Sequence, residues 1–403
     1  MTDASRLDVY VARRHAGVLA AERPDRYVFT YDATAPAERF VSLTMPVRLE
    51  SYVWHELHPI FQMSLPEGDL LARVSSRLAK AGAGRPIDLL AFTGAELIGR
   101  LSVYPEGVSP ETPFDTQSFA ELMTSVDTRP LFTDLVEAHL ARGVSGVMPK
   151  AISVSNEKEG DRVTAFDAGG IYKTANEAFP SIALNEWFCL RVAQRAGIEV
   201  PAFELSRDRR VLRLARFDRT PAGALGFEDF AVLEGLSAAQ KYGSTYERVV
   251  KTGATFVPSL ARVATRRELF GRIVLCWMLR NGDAHLKNFG LLYSSATDAR
   301  LAPLYDVVTT TAYASLRSDV PALTLAGRRA WSLKKGTWTR FAQTHCALEP
   351  AHAAQTVERL AQSVIEELAE VERHCRDDPS IAATLGAMQA QWRVGMEDVR
   401  AGL

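Results

Sequence analysis

The chain has 403 residues, with 47 Lys plus Arg against 48 Asp plus Glu, a net charge of −1, and 47% apolar, 24% charged and 9% aromatic residues. That length allows two or three domains with cores of their own, and the composition excludes wholesale disorder, collagen-like repeats and low-complexity architecture. A charge this close to zero excludes a nucleic-acid coat or a membrane-surface binder acting through bulk charge, while leaving a local basic patch open.

The opening reads as strands. Residues 7–11 alternate into a turn expected at 15–17, 27–31 form a second short run, and 40–43 precede Pro46, a spacing that predicts a small β domain. In SLPEGDLLARV (64–74) a Pro-Glu-Gly turn leads a helical pattern, and 98–103 read as a closing strand. YPEGVSPETPFDT (104–116) concentrates three prolines among small polar residues, which disfavours helix and central strand alike and places the first boundary there. GGIYKT (169–174) is a short strand. The stretch SIALNEWFCLRVAQRAGI puts Leu184, Phe188 and Val192 on one helical face, with Gly197 as its stop, and VLRLARFDR (211–219) is a further strand. Helices dominate from there. Phe270, Ile273, Val274, Trp277 and Met278 share one face, as do Val357, Leu360, Val364, Leu368 and Val371 among glutamates.

The four cysteines (Cys189, Cys276, Cys346 and Cys375) lie far apart and form no C-x-x-C pair, so a disulfide scaffold or structural zinc is not expected and a reducing cytoplasm fits best. The N-terminal residues carry charge without an apolar signal core, and no run of 18 or more apolar residues occurs; secretion and membrane insertion are not expected.

The chemistry is concentrated in RNGDAHLKNFGLLYSSATDARLAPLYDVV (280–308). FGLLY, a polar turn and RLAPLY read as a β-hairpin, so Asp283 and Asn288 sit in a loop between helix and hairpin, with Asp306 just past the second strand. In kinase catalytic loops an Asp takes the substrate hydroxyl proton, an Asn five positions later holds Mg²⁺, and an Asp beyond a hairpin also holds metal. Asp283, Asn288 and Asp306 reproduce that order, and hard oxygen donors suit Mg²⁺. Lys287 could neutralise a γ-phosphate, and His285 could hold the loop without touching substrate. Taken singly, each of these residues reads as readily as a turn or a helix cap; the ordered set carries the signal. Lys173, on the IYKT strand, and Glu186, on the following helix, are the candidates for the phosphate lysine and its carboxylate partner. No G-x-G-x-x-G or Walker A loop occurs in the relevant place. The substitute is RGVSGVMPKAIS (142–153), whose glycines bracket Ser145 and could let backbone approach phosphate.

These motifs resemble the HipA toxins, serine/threonine protein kinases of bacterial type II toxin–antitoxin modules. The resemblance runs through LDVYV (7–11), SLPEG (64–68), IGRLSV (98–103), SGVMPK (145–150), IYKT, FPSIALNEWFCLRVAQRAGI (179–198), RFDR (216–219), FEDFAVLEGL (227–236), KYGSTYE (241–247), NGDAHLKNFGLLY (281–293) and PLYDVV (303–308). It implies an α+β, two-lobed kinase-like fold: a β-rich N-terminal subdomain at 1–105, a mixed α/β N-lobe at 106–219 and an all-helical C-lobe at 220–403. It also implies ATP and Mg²⁺ as cofactors, Asp283 as base, Asn288 and Asp306 as metal ligands, and Lys173 on the ATP phosphates. Ser145, Gly146 and Val147 would lie in the loop over nucleotide. The adenine hinge would run from Ala215 to Phe217, and because relatives tend to carry an acidic residue where this chain has Ala215, backbone would meet adenine there. Family members phosphorylate aminoacyl-tRNA synthetases, glutamyl-tRNA synthetase best known among them. They are restrained by a small helix-turn-helix antitoxin, HipB-like, through which DNA is contacted. Relatives also autophosphorylate a loop serine at one of two positions; here the first is Gly143 and the second Ser145, so Ser145 is the expected site. An aminoglycoside- or choline-type kinase, whose G-D-x-H-x-x-N loop residues 282–288 also satisfy, and a pseudokinase co-repressor are the rival readings.

Overall fold

Alternating apolar residues at the start of the chain require a sheet with one dry face. In the computed structural model, which describes residues 5–63, 65, 84–108, 122–128, 131, 152–154, 163–166, 169–174 and 179–403, that sheet is antiparallel. Its strands are β1 (Arg6–Val11), β2 (Arg14–Arg23), β3 (Arg26–Tyr31), β4 (Tyr52–Trp54) and β5 (Leu101–Pro105), in the order β4-β3-β2-β1-β5. Leu7, Val9 and Val11 face a core shared with Leu19, Phe29, Phe61 and Leu90, the last two from the short helices α1 (Pro59–Gln62) and α2 (Pro86–Thr93). The first turn is earlier than expected. Val11 pairs with Arg14, so Ala12 and Arg13 form a two-residue hairpin turn with φ of 48° and 64°, and 15–17 lie inside β2. Without Asn-Gly or Asp-Gly, this turn leaves no mark in the sequence. The run 40–43 is not a strand either. Phe40 and Val41 are buried in a loop whose shape is set by the Tyr31 hydroxyl, which accepts from Val41 N at 2.8 Å and donates to the Met45 carbonyl. The closing strand begins at Leu101, after a bend through Gly99 at φ +100°. The helix expected in 64–74 and most of the 104–116 boundary fall outside the described residues.

A second antiparallel sheet, β6-β7-β8-β10-β9, contains β6 (Ile152–Val154), β7 (Val163–Phe166), β8 (Gly170–Thr174), β9 (Phe203–Leu205) and β10 (Val211–Ala215). Helix α3 (Ile182–Arg195) packs on it through buried Leu184, Phe188 and Val192, and ends where Gly197 takes φ +72°. The strand read over 211–219 stops at Ala215. Arg216 instead turns its guanidinium onto Asp218 (2.7 and 2.6 Å). A small hairpin, β11 (Arg219–Thr220) and β12 (Gly223–Ala224), follows.

The remainder is mostly helical: α4 (Phe230–Leu233), α5 (Tyr246–Phe256), α6 (Arg262–Met278), α7 (Thr337–Cys346), α8 (Pro350–Asp377) and α9 (Pro379–Ala401). Both apolar stripes read from the sequence, on α6 and α8, are buried in one core. The label all-helical needs one correction: β13 (Gly226–Asp229), β14 (Gly290–Tyr293) and β15 (Arg300–Leu301) form a three-stranded sheet in this region. It belongs there because its middle strand is the first arm of the hairpin that presents Asp306. The four cysteines are free; burial pushes the Cys189, Cys276 and Cys346 thiols up to about 12, which makes them unreactive packing groups.

Buried polar groups tie the N-terminal domain to the rest. Glu228 on β13 accepts from Ser42 Oγ (2.6 Å), Leu43 N (2.7 Å) and Tyr293 Oη (2.6 Å). Asp218 accepts from Gly99 N (2.7 Å), while Arg216 donates to the Leu97 carbonyl (3.0 Å).

Candidate active site

Strand β8 is internal to its sheet, so a lysine on it must find partners within the fold. Lys173 is 5% exposed and its ammonium donates to Glu186 Oε1 at 2.7 Å and to Asp306 Oδ1. Glu186 comes from the start of α3 and is 0% exposed; Asp306 comes from the segment after β15 and keeps 28% of its side chain exposed. A desolvated ammonium between two carboxylates is tolerable only when its charge is matched. The cluster reaches solvent on the Asp306 side.

The loop carrying Asp283 is shaped by bonds running in both directions. After α6, Arg280 turns the chain at φ +54°, anchored by an ion pair to Asp398 on α9. Asn281 Oδ1 accepts from Asp283 N (3.1 Å) and Gly282 N donates to Thr310 Oγ1 (2.9 Å). A side chain at 282 would be crowded: a Cβ there would lie 2.8 Å from Thr310 Oγ1 and 3.0 Å from Asp319 Oδ2. Asp283 is 1% exposed and accepts from the Tyr242 hydroxyl at 2.7 Å. His285 is buried, its ring edge-on to Tyr242 with 5.1 Å between centroids. Lys287 is half-buried, and its carbonyl accepts from the Tyr305 hydroxyl (2.9 Å), a phenol that burial pushes well above its ordinary value and so keeps as a donor.

Asn288 closes the set. Its Nδ2 donates to the Asp306 carbonyl at 3.2 Å, joined there by Asn281 Nδ2 at 3.4 Å. Asp306 itself has φ +53°, a left-handed conformation that Asp tolerates better than most residues but holds only under constraint. Three residues on, Asn185 of α3 clamps Thr309 by accepting from its N (2.9 Å) and donating to its carbonyl (3.1 Å), and Trp392 Nε1 donates to Thr309 Oγ1 (2.6 Å). Asp283, Asn288, Asp306, Lys173 and Glu186 therefore form one bonded neighbourhood drawn from both lobes.

Of the residues expected at the hinge, Ala215 ends β10 opposite Gly170, with its N bonded to the Ala202 carbonyl (2.7 Å); Phe217 lies in the following turn, stacked on Tyr305 at 5.5 Å and 20°. Ser145, Gly146 and Val147 lie outside the described residues. Sequence reasoning missed Tyr242, Asn281, Asn185 and Thr310 as supports of the site. Tyr242 stands in the KYGSTYE motif and Asn281 directly before Gly282, but nothing local shows that their partners are Asp283 and the Asp306 backbone.

The donor set suits Mg²⁺. Asp306 offers a carboxylate and Asn288 an amide oxygen, its nitrogen being already engaged; among the described residues no cluster of three or more His, Cys, Asp or Glu forms a metal cage. Mg²⁺ is held in this way, by one or two protein oxygens with phosphate and water completing its shell.

These features define a two-lobed, protein-kinase-like α+β protein with an added N-terminal β domain. The HipA N-terminal domain family matches residues 7–104 and the HipA-like C-terminal domain family residues 143–368, so the chain belongs to the HipA family. It is 29% identical over 273 residues, 63% of this chain and 63% of the relative, to "Putative kinase Y4dM" of Sinorhizobium fredii. It is 28% identical over 311 residues, 68% of this chain and 70% of the relative, to "Putative kinase Y4mE" of the same organism. The chain thus spans about two thirds of the length of these relatives. Among solved structures, HipA of Shewanella oneidensis MR-1, in a complex with HipB and its operator DNA, superposes with a TM-score of 0.73 at 17% identity over 98% of both chains, a likeness of fold. Among the described residues, no helix is long and apolar enough to cross a membrane.

Proposed function

We propose that the chain is an ATP- and Mg²⁺-dependent serine/threonine protein kinase, the toxin of a HipBA-type toxin–antitoxin pair acting in the cytoplasm. The observation that carries this reading is the Lys173 ammonium held between Glu186 and Asp306, with the Asp306 carbonyl tied by Asn281 and Asn288 to the loop of Asp283. Phosphoryl transfer asks a protein chiefly for positioning and charge neutralisation. Lys173 would bind the phosphates of ATP, Asp283 would accept the proton of the attacking hydroxyl, and Asn288 and Asp306 would hold Mg²⁺, which when bound offsets phosphate charge. Lys287 would face the terminal phosphate, His285 would brace the loop, and backbone at Ala215 with the ring of Phe217 would border adenine. The loop of Ser145, Gly146 and Val147 would cover the nucleotide.

The proposed partner is a HipB-like helix-turn-helix antitoxin that makes most of the DNA contact, and the proposed substrate an aminoacyl-tRNA synthetase such as glutamyl-tRNA synthetase. A metabolite kinase of the aminoglycoside or choline type has no use for a domain at 7–104, and a pseudokinase has none for a buried Lys173–Glu186–Asp306 set. Asp283→Asn keeps the shape of the side chain and should lower phosphotransfer from labelled ATP to lysate proteins by about 100-fold or more with an unchanged melting temperature. Wild-type self-labelling should map to Ser145. Full activity in Asp283→Asn would end the assignment.

A further inference from the structure

We infer that Tyr242 is a positioning residue for Asp283, a role that rests on the kinase reading above. A carboxylate acting as base must present a lone pair to the incoming hydroxyl, and one free to turn about its Cβ–Cγ bond presents it only part of the time. The Tyr242 hydroxyl donates to Asp283 Oδ1 at 2.7 Å, which restrains the plane of the carboxylate. His285 Nε2 lies 4.0 Å from Oδ2, beyond hydrogen-bond reach of that oxygen.

Tyr242 is suited to the task because it is itself held. Its ring packs edge-on against His285. Its carbonyl accepts from Arg329 Nη2 at 3.2 Å, and the carbonyl of Lys241 accepts from Leu286 N at 3.2 Å. The 241–242 segment is thereby stapled to the catalytic loop on one side and to the 329 region on the other, so the phenol reaches Asp283 from a fixed base. A hydroxyl that donates to an ionised carboxylate, the form a base must take, makes the stronger, charge-assisted kind of hydrogen bond.

The same geometry, a hydroxyl bonded to the base, is that of a phosphoacceptor, and the experiment separates the two roles. ADP release and ³²P incorporation would be followed on the purified full chain with ATP and Mg²⁺, for wild type, Tyr242→Phe, Asp283→Asn and the double variant. Tyr242→Phe should lower kcat by about tenfold to 100-fold, the range for one lost bond to a charged group. KM for ATP and the melting temperature should stay at wild-type values. On the Asp283→Asn background the residual turnover should not change further, because the tyrosine acts through the aspartate. A kcat equal to wild type, an equal loss on both backgrounds, or phosphate found on Tyr242 overturns the inference. Wild-type protein without Asp283-dependent turnover overturns instead the kinase reading on which it rests.

Discussion

The contribution of Glu228 to stability should fall as pH rises from 5 to 8, and Glu228→Gln should remove that fall. The carboxylate is fully buried between β13 and the 40–45 loop, and its pKa is raised to about 7, chiefly by burial, against hydrogen bonds from Ser42, Tyr293 and Leu43 that pull it down. A folded-state pKa above the ordinary carboxylate value of 4.5 means that the fold holds this proton more tightly than the unfolded chain does. The stabilisation is complete below about pH 4.5 and is lost as pH climbs through about 7, a difference on the order of 3 kcal/mol, or a few degrees in melting temperature. Glutamine can meet the same partners: its Oε1 would accept from Leu43 N and Tyr293 Oη, and its Nε2 would donate to Ser42 Oγ, which already lies 2.8 Å from Thr44 Oγ1. Thermal unfolding at pH 5, 6, 7 and 8 should show Glu228→Gln gaining on wild type as pH rises, with the curves close at pH 5 and the variant higher at pH 8; His58, whose imidazole burial pushes down to about 4, adds the same rise with pH to both curves. Parallel curves would refute the titration. A variant less stable at pH 8 would mean that the charge is favourable there, through Arg100, whose guanidinium packs 4.2 Å from the Phe40 ring and 5.1 Å from the Tyr293 ring.

Two further outcomes follow from the packing. Gly282→Ala should displace Thr310 or Asp319, destabilising the protein by about 1–3 kcal/mol in urea titration and lowering ATP turnover more than its melting shift explains; an alanine variant with wild-type stability and turnover would contradict the close approach. Asp218→Ala strands a buried guanidinium and removes the acceptor of Gly99 N, and should destabilise by about 3–5 kcal/mol in the same titration; a loss below about 1 kcal/mol would show that the Arg216–Asp218 pair is dispensable.

Periodic segments were legible in the sequence: α3, α6 and α8 each bury the face that their spacing marks, because one helical stripe must meet one core. The hairpin leading to Asp306 was legible for a related reason, an apolar arm on each side of a polar turn. The turn at Ala12–Arg13 was not, since neither residue advertises positive φ. The end of β10 was hidden because VLRLARFDR alternates plausibly throughout; what stops it is a side-chain pair between Arg216 and Asp218 that also caps residues 97–99, more than a hundred positions away. In the site, the order of Asp283, Asn288 and Asp306 could be read along the chain, as could Lys173 and Glu186 as candidates. Their supports could not: Tyr242, Asn185 and Thr310 each act across at least 28 residues of sequence.

The tie between residues 97–99 and the Arg216–Asp218 turn bears on how the molecule can be divided. The backbone groups that satisfy both buried charges belong to the N-terminal domain, so cutting the chain after residue 104 to isolate the catalytic portion would strip that pair of its caps and bring water to the turn directly beyond Ala215. The C-terminal portion is thus not a portable cassette: the turn proposed to border adenine is completed by a neighbour that carries none of the proposed reacting groups.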